Sequence, residues 1–262
     1  LLKKRIDEAL VERGILTTRS EAKRFIMEGR VLLNGNVVQK AGVKVSESDL
    51  IELKESKRFV GRGGEKLSYA LDMFGIDVKD KVAADIGAST GGFSDCLLQR
   101  GVKRIYAVDV GYGQFDYTLR NNEKIILLER TNARYLTKKE IPEVLDIVVM
   151  DVSFISITKI LPALGPLTTD EVDIVSLIKP QFEGKREYLK KGIVRDKLYH
   201  YEILKNLLHS ITNMNFSIVD VTYSPIKGGK GNIEFFFHIK KNGSIVEMET
   251  IDKVVDEAWE KL

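Results

Sequence analysis

The sequence predicts an α/β protein: an open, mostly parallel sheet with one antiparallel strand, preceded by a small N-terminal α+β piece. Three observations carry this. Residues 85–93 read Asp-Ile-Gly-Ala-Ser-Thr-Gly-Gly-Phe, between an apolar run at 82–86 and a helical stretch at 94–100. A strand, a glycine-rich turn and a helix form the ligand-binding corner of such a sheet. Strand-like and helix-like segments then alternate along the chain. The first 60 residues also differ in charge from the remainder.

That difference is hidden in the total, a net charge of +3 over 262 residues. Residues 1–60 hold 13 Lys+Arg against 9 Asp+Glu, whereas residues 61–262 hold 28 against 29. The excess positive charge therefore belongs to the N-terminal piece, as in a polyanion-binding module joined to a nearly neutral body. Hydrophobic content of 44% and charged content of 30% suit a globular core. No apolar run reaches the roughly 18 residues of a membrane-spanning helix. The N-terminal Leu-Leu-Lys-Lys-Arg is too charged for a secretory leader, which implies a cytoplasmic protein. Leu1 in place of methionine implies a trimmed start. The single Cys96 has no disulfide partner and no metal-ligand spacing around it, so a core thiol and no metal site are expected.

In the N-terminal piece, Ile6, Ala9 and Leu10 have helical spacing, and Gly14 follows as a stop. Hydroxyls at 17–20 offer an N-cap to a second helix over 20–29, with Ala22, Phe25 and Ile26 inward. Two apolar runs, 31–33 and 37–38, flank Asn-Gly-Asn, a hairpin signal. Further strand is expected at 43–46 and 49–53. The pattern of Arg5-Ile-Asp, Thr18-Arg-Ser-Glu-Ala and Gly29-Arg-Val-Leu-Leu-Asn-Gly resembles the small RNA-binding domain of ribosomal protein S-four. The resemblance implies that Arg5, Arg19, Lys23, Arg24 and Arg30 meet RNA phosphates. Solvated surface charge is the competing reading.

The domains expected are 1–58 for this module, a charged, glycine-rich linker at 59–64, and a body over 65–262. A helix over 65–74 puts Leu67, Ala70, Leu71 and Phe74 on one face. Strands are expected at 82–86, 104–109, 125–129, 146–151, 173–179, 217–223 and 233–239, with helical segments between the first six. The stretch 224–232 has no room for a helix, so the last strand should run antiparallel.

Acids stand at the carboxyl ends of these strands, where open α/β sheets bind ligands. Asp85 precedes the turn formed by Gly87, Ser89, Gly91, Gly92 and Phe93. A carboxylate there would repel a pyrophosphate, so a cationic or zwitterionic ligand is expected, and S-adenosylmethionine fits. Another nucleotide-like ligand, or a turn that only packs, are the alternatives. Asp109, followed by Val110, can accept both hydroxyls of a ribose, or cap a turn. Asn132 and Ala133 can meet an adenine edge. Asp151 ends the fourth strand and Lys179 the fifth, and a lysine leaving a buried strand needs a partner. Glu234 is the only charge in a strongly apolar run, and Lys66 precedes the first strand.

The order Lys66, Asp151, Lys179, Glu234 resembles the Lys-Asp-Lys-Glu tetrad of FtsJ-type RNA ribose 2′-O-methyltransferases. With the N-terminal module, the whole chain resembles the TlyA family. The phrases around Gly61-Arg-Gly-Gly-Glu-Lys, Met150-Asp-Val-Ser-Phe, Lys179-Pro-Gln-Phe-Glu and Gly228-Gly-Lys-Gly-Asn-Ile-Glu carry it. The resemblance implies a Rossmann-like methyltransferase sheet, S-adenosylmethionine as cofactor, ribosomal RNA or ribosomal subunits as partner, and transfer to a cytidine 2′-hydroxyl. It also implies Asp151 at the cofactor as well as in the tetrad. Many members carry a haemolysin name, so a membrane-active protein is one alternative. An RNA-binding protein without catalysis, or a methyltransferase acting on protein or a small molecule, are others. The basic, glycine-punctuated stretch 183–195 reads as a mobile substrate loop or as plain surface loop.

Overall fold

The structure, a computed structural model, describes residues 3–54 and 58–262. The chain divides into two compact units, Leu1–Lys57 and Arg58–Leu262. Residues 55–57, near the end of the expected N-terminal module, lie outside the described residues, as do Leu1 and Leu2.

The first unit runs β1 (Lys4–Arg5), α1 (Ile6–Glu12), α2 (Arg19–Met27), β2 (Val31–Leu33), β3 (Asn36–Val38), β4 (Lys44–Val45) and β5 (Ile51–Leu53). Strand β2 lies between β3 and β5, antiparallel to both. The Thr18 hydroxyl accepts from Glu21 N–H at 3.2 Å, and the Glu21 carboxylate accepts from Thr17 N–H at 3.0 Å. The Glu21 orphan donor of helix α2 is therefore satisfied, and the residue just before the cap is held by the Glu21 side chain. Asn34 and Gly35 both have positive φ, the geometry that closes a tight hairpin. Ile6, Leu10, Ala22, Ile26, Val31 and Ile51 form the core. Phe25, expected inward, is only half-buried.

The second unit runs α3 (Arg62–Met73), β6 (Val82–Ile86), α4 (Gly92–Gln99), β7 (Arg104–Val108), α5 (Tyr117–Arg120), β8 (Ile125–Leu128), β9 (Leu145–Met150), α6 (Leu161–Leu164), β10 (Thr168–Ile178), α7 (Pro180–Glu183), β11 (Leu189–Lys190), β12 (Ile193–Val194), α8 (Lys197–Thr212), β13 (Ser217–Tyr223), β14 (Phe235–Lys240) and α9 (Met248–Lys261). The main sheet has the order β13-β14-β10-β9-β6-β7-β8. Strands β6 to β10 are parallel, and β14 runs antiparallel to both of its neighbours. Strand β14 thus lies inside the sheet, between β10 and β13. Phe235 and Phe237 pack into the core on one face and Phe236 into the core on the other, so an interior strand needs an unbroken apolar run. Helices α3 and α4 cover one face, and α6, α8 and α9 cover the other. Chain order reverses between β6 and β9, which opens a crevice at their carboxyl ends.

The structure departs from the expected elements at four places. Helix α3 begins at Arg62 inside the expected linker, because Phe59 is buried against Gly64, where a Cβ would lie 2.3 Å from its ring. Only one 3₁₀ turn, Ala133–Tyr135, stands between β8 and β9; Pro142 lies in this interval and has no N–H to give a helix. Strand β14 starts one residue after Glu234, not at Ile233. The stretch 183–195 forms a β11–β12 hairpin, with Tyr188 stacked on Tyr199 at 4.1 Å. Cys96 is a buried thiol, pushed up to about 11 by burial.

His200 sits between α8, α9 and β14, fully buried. Trp259 Nε1–H donates to its Nδ1 at 2.8 Å, so the ring proton is on Nε2, which has no partner among the described residues. Burial lowers its pKa to about 4, and Asp196 pulls weakly the other way. The unfolded chain gains a proton near pH 6.5 that the folded chain refuses. Stability should therefore fall as pH drops from about 6.5 to about 4, by up to about 3 kcal/mol. Urea titrations should show His200→Gln losing that part of the pH dependence. Parallel wild-type and variant curves would show the group does not titrate as described.

Candidate active site

The crevice holds two cavities that share a wall. The first, about 460 Å³, opens at the carboxyl ends of β6, β7 and β9. Gly87, Ser89, Asp109, Val110, Asn132, Ala133 and Asp151 line it. The second, about 440 Å³, is lined by Lys179, Gln181, Phe182, Lys230, Asn232 and Glu234, among others. Ser153 and Phe154 line both.

Backbone geometry builds the first cavity. Gly87 has φ 84°, and a Cβ there would lie 2.5 Å from the Asp151 carbonyl oxygen. Only glycine lets the turn after β6 pass so close to the end of β9. Asp109 accepts from Ser89 N–H at 2.8 Å and from Gly111 N–H at 2.6 Å. It caps the turn and also faces the cavity, and each oxygen keeps a second lone pair for a ligand. Asn132 accepts from Arg134 N–H at 3.1 Å, which starts the 3₁₀ turn. Gly92 and Phe93 line a smaller recess of about 100 Å³ with Gly61, Gly63 and Asp151.

Two expected residues stand elsewhere. Gly91 lines none of these cavities; its φ is 94° and a Cβ would meet Leu119 at 2.7 Å, so its glycine serves packing. Asp85 lies behind the turn, fully buried, and lines none of them either. The Ser94 hydroxyl donates to its Oδ2 at 2.7 Å, and Oδ1 has no partner among the described residues.

The four tetrad residues form two ion pairs. Lys179 Nζ lies 2.6 Å from Asp151 Oδ1, off a hydrogen-bonding direction, and donates to Ser153 Oγ at 2.8 Å. This pair stands between the cavities: Asp151 lines the first and Lys179 the second. Lys66 reaches across from α3 to Glu234 Oε2 at 2.5 Å. Lys66 is 7% exposed and Glu234 2%, so the pair is desolvated and neither charge can be removed alone without cost. Gly228 makes room for it: a Cβ there would fall 1.9 Å from Glu234 Oε1. Glu234 lines the second cavity; Lys66 lies behind it and lines neither.

Sequence reasoning did not single out Phe154, Ser153 or Asn232. Phe154 is 88% exposed, has φ 63°, and packs on Phe182 at 4.7 Å. The signal was its place just past β9, in the same phrase as Asp151.

In the first unit, Arg5 and Arg19 converge on Asp7, which is fully buried. Arg5 Nε donates at 3.0 Å and Arg19 Nη2 at 3.0 Å. Arg30 lies over the Phe25 ring at 3.9 Å, and Arg24 is 3.9 Å from Glu28. Lys23 is exposed.

Among the described residues, no helix is long and apolar enough to cross a membrane, and no group of three His, Cys, Asp or Glu could hold a metal ion.

A family model described as FtsJ-like methyltransferase matches residues 59–241, and one described as S4 domain matches residues 4–51. The chain is 40% identical to the 16S/23S rRNA (cytidine-2′-O)-methyltransferase TlyA of Mycobacterium tuberculosis, over 90% of this chain and 89% of that one. It is 44% identical to Hemolysin A of Brachyspira hyodysenteriae, over 89% of this chain and 98% of the other. A solved structure carrying a hemolysin name, from Streptococcus thermophilus, superimposes with a TM-score of 0.77 at 40% identity, covering 99% of this chain and 96% of that one.

Burial raises the Asp85 carboxyl to about 7; the Ser94 hydrogen bond opposes the rise and Asp151 adds to it. The unfolded carboxyl releases its proton near pH 4, the folded one only near pH 7. Stability of the ligand-free protein should thus fall as pH rises through that window, by up to about 4 kcal/mol. Relative to wild type, Asp85→Asn should gain stability steadily between pH 4 and pH 8 in denaturant melts. A difference independent of pH would contradict the assignment.

Proposed function

The chain belongs to the FtsJ-like methyltransferase family, and we propose that it transfers a methyl group from S-adenosylmethionine to a ribose 2′-hydroxyl of ribosomal RNA, on cytidine. The observation that carries this is the ion pair between Asp151 and Lys179, one partner in each of two cavities that share a wall.

The first cavity suits the cofactor. Asp109 is placed to accept ribose hydroxyls with its free lone pairs, and Asn132 and Ala133 to flank a base. Asp151 supplies negative charge at this cavity, which favours a cationic ligand over a dinucleotide pyrophosphate. S-adenosylmethionine supplies an electrophilic methyl on a sulfonium that leaves as a neutral thioether.

The second cavity suits the acceptor. A ribose hydroxyl is a weak nucleophile at neutral pH, so it needs help as its proton leaves. Lys179 as an ammonium has three N–H groups. One goes to Ser153 and one faces Asp151, which leaves one for the acceptor oxygen. A fixed positive charge there stabilises the developing alkoxide, and the hydroxyl's proton passes to water in the open crevice. Glu234, held by Lys66, keeps a second carboxylate at the rim without leaving it unpaired. Phe154 and Phe182 offer an aromatic surface to a base turned out of its stack.

The first unit supplies RNA affinity. Asp7 fixes Arg5 and Arg19, with Glu8 also 3.2 Å from Arg19, and the exposed Lys23 carries positive charge for a phosphate. A cytoplasmic location follows from a ribosomal RNA substrate.

Lys179→Ala should leave S-adenosylmethionine affinity within a few-fold by calorimetry, because Lys179 does not line the first cavity. Methyl transfer to ribosomal subunits should fall by roughly 10²–10³, the scale of one lost donor to a developing oxyanion. RNA with a 2′-deoxy nucleotide at the target should give no product. Methylation of that deoxy RNA would place the acceptor on a base and refute the ribose reading.

A further inference from the structure

Two loops meet at the second cavity, and each carries a lysine in a backbone conformation that lysine disfavours. Lys191 has φ 56° and Lys230 has φ 57°. Each precedes a glycine that is also left-handed, Gly192 at φ 80° and Gly231 at φ 86°. Glycine or asparagine would occupy either position with less strain. Strain of this kind persists where surrounding structure enforces it, and it gathers at functional sites.

The surrounding structure here is Asn232. It is buried, and its side chain ties both loops together. Its Oδ1 accepts from Val194 N–H at 3.2 Å, and its Nδ2 donates to Gly192 O at 3.0 Å and Gly229 O at 3.1 Å. The loops approach closely: a Cβ on Gly192 would lie 3.3 Å from Lys230 Nζ. Gly192, Gly229, Lys230 and Asn232 line the cavity alongside Lys179 and Glu234.

Lys190, Lys191 and Lys230 are exposed, and none is in an ion pair among the described residues. The nearby acids do not neutralise them, because Asp151 is taken by Lys179 and Glu234 by Lys66. The positive charge of the rim is therefore unmatched among the described residues. An ammonium on a flexible stem suits a phosphate contacted as a point charge.

We propose that the hairpin of residues 189–194 and the loop of residues 228–231 form one basic lip that grips the RNA phosphates flanking the acceptor nucleotide. Lys191 and Lys230 make the contacts, and Asn232 is the positioning residue that holds the two loops in register. The proposal rests on the second cavity being the acceptor site. The strained backbone places each charge at a loop tip, and the latch makes the two tips one surface.

The test reads RNA binding separately from methyl transfer. Fluorescence anisotropy with a ribosomal RNA fragment, across a salt series, compares wild type with the double variant Lys191→Gln/Lys230→Gln. The variant should bind at least about tenfold more weakly at low salt, with a log–log salt slope shallower by roughly 1.4–1.8, two lost phosphate contacts. S-adenosylmethionine affinity should not change. Lys230→Gly should melt no lower than wild type, because glycine relieves the left-handed residue, yet bind RNA more weakly. In Asn232→Ala, trypsin should cut faster after Lys190 and Lys191, and the KM for RNA should rise more than kcat falls. Equal slopes and affinities in wild type and the double variant would overturn the lip. If the slope drops but wild type gives no methylated RNA, the two lysines still contact RNA and it is the methyltransfer reading that fails. If wild type methylates RNA and the slope is unmoved, the reverse holds.

Discussion

Two lysines sit where the fold leaves little water, and two carboxylates keep them there. The rest of the active-site geometry depends on this pairing. Moving an ammonium out of water costs several kcal/mol unless an opposite charge meets it in good geometry. Lys66 crosses from α3 to Glu234 beside β14, and Lys179 leaves β10 to face Asp151 at the end of β9. Each pair links two elements distant in sequence, so the charges are placed only once the sheet has formed. Sheet order does the rest. Because β9 and β10 are neighbours, the ends of these strands put Asp151 and Lys179 side by side. Because β14 inserts next to β10, Glu234 reaches the same crevice.

Small residues give this frame its space. Gly87 lets the turn after β6 touch the Asp151 backbone, and Gly228 leaves room for the Glu234 carboxylate. Both positions act on the charged groups through excluded volume. A side chain at either one would push a carboxylate out of register and leave its lysine under-paired, a much larger penalty than the added atoms themselves. The same logic governs the first unit. Arg5 and Arg19 come from different elements and are fixed by one buried acid, Asp7, so the N-terminal charge excess is partly a built arrangement and partly surface.

Much of the fold was legible because its signals are local. The run 82–86 and the glycine turn after it specify a strand and its exit, and the observed strand has those bounds. The triple phenylalanine at 235–237 marks a strand buried on both faces, although not its place inside the sheet. That place follows from the β13–β14 hairpin docking on β10, a long-range pairing with no short-range mark. Helix α9 went unread, yet Ile251, Val255 and Ala258 have its period and are buried. The site was legible as a set of residue types at strand ends. What stayed hidden was contact. Nothing local says that Asp85 points away from the crevice, that Gly91 packs on Leu119, or that Asn232 ties two loops together. Phe154 was hidden for a related reason. Its exposure comes from a positive φ just past β9, and exposed aromatics in loops look like any other loop residue in sequence.

The claim on which the account turns is that the charged crevice delivers a methyl group to a ribose oxygen. The most direct measurement is to incubate the protein with methyl-labelled S-adenosylmethionine and unmodified ribosomal subunits, digest the RNA to nucleosides, and identify the labelled nucleoside by mass spectrometry. The account predicts label in a 2′-O-methylated nucleoside, cytidine in particular. Label on a base carbon or nitrogen, or no transfer to RNA by a protein that binds both partners, would contradict it.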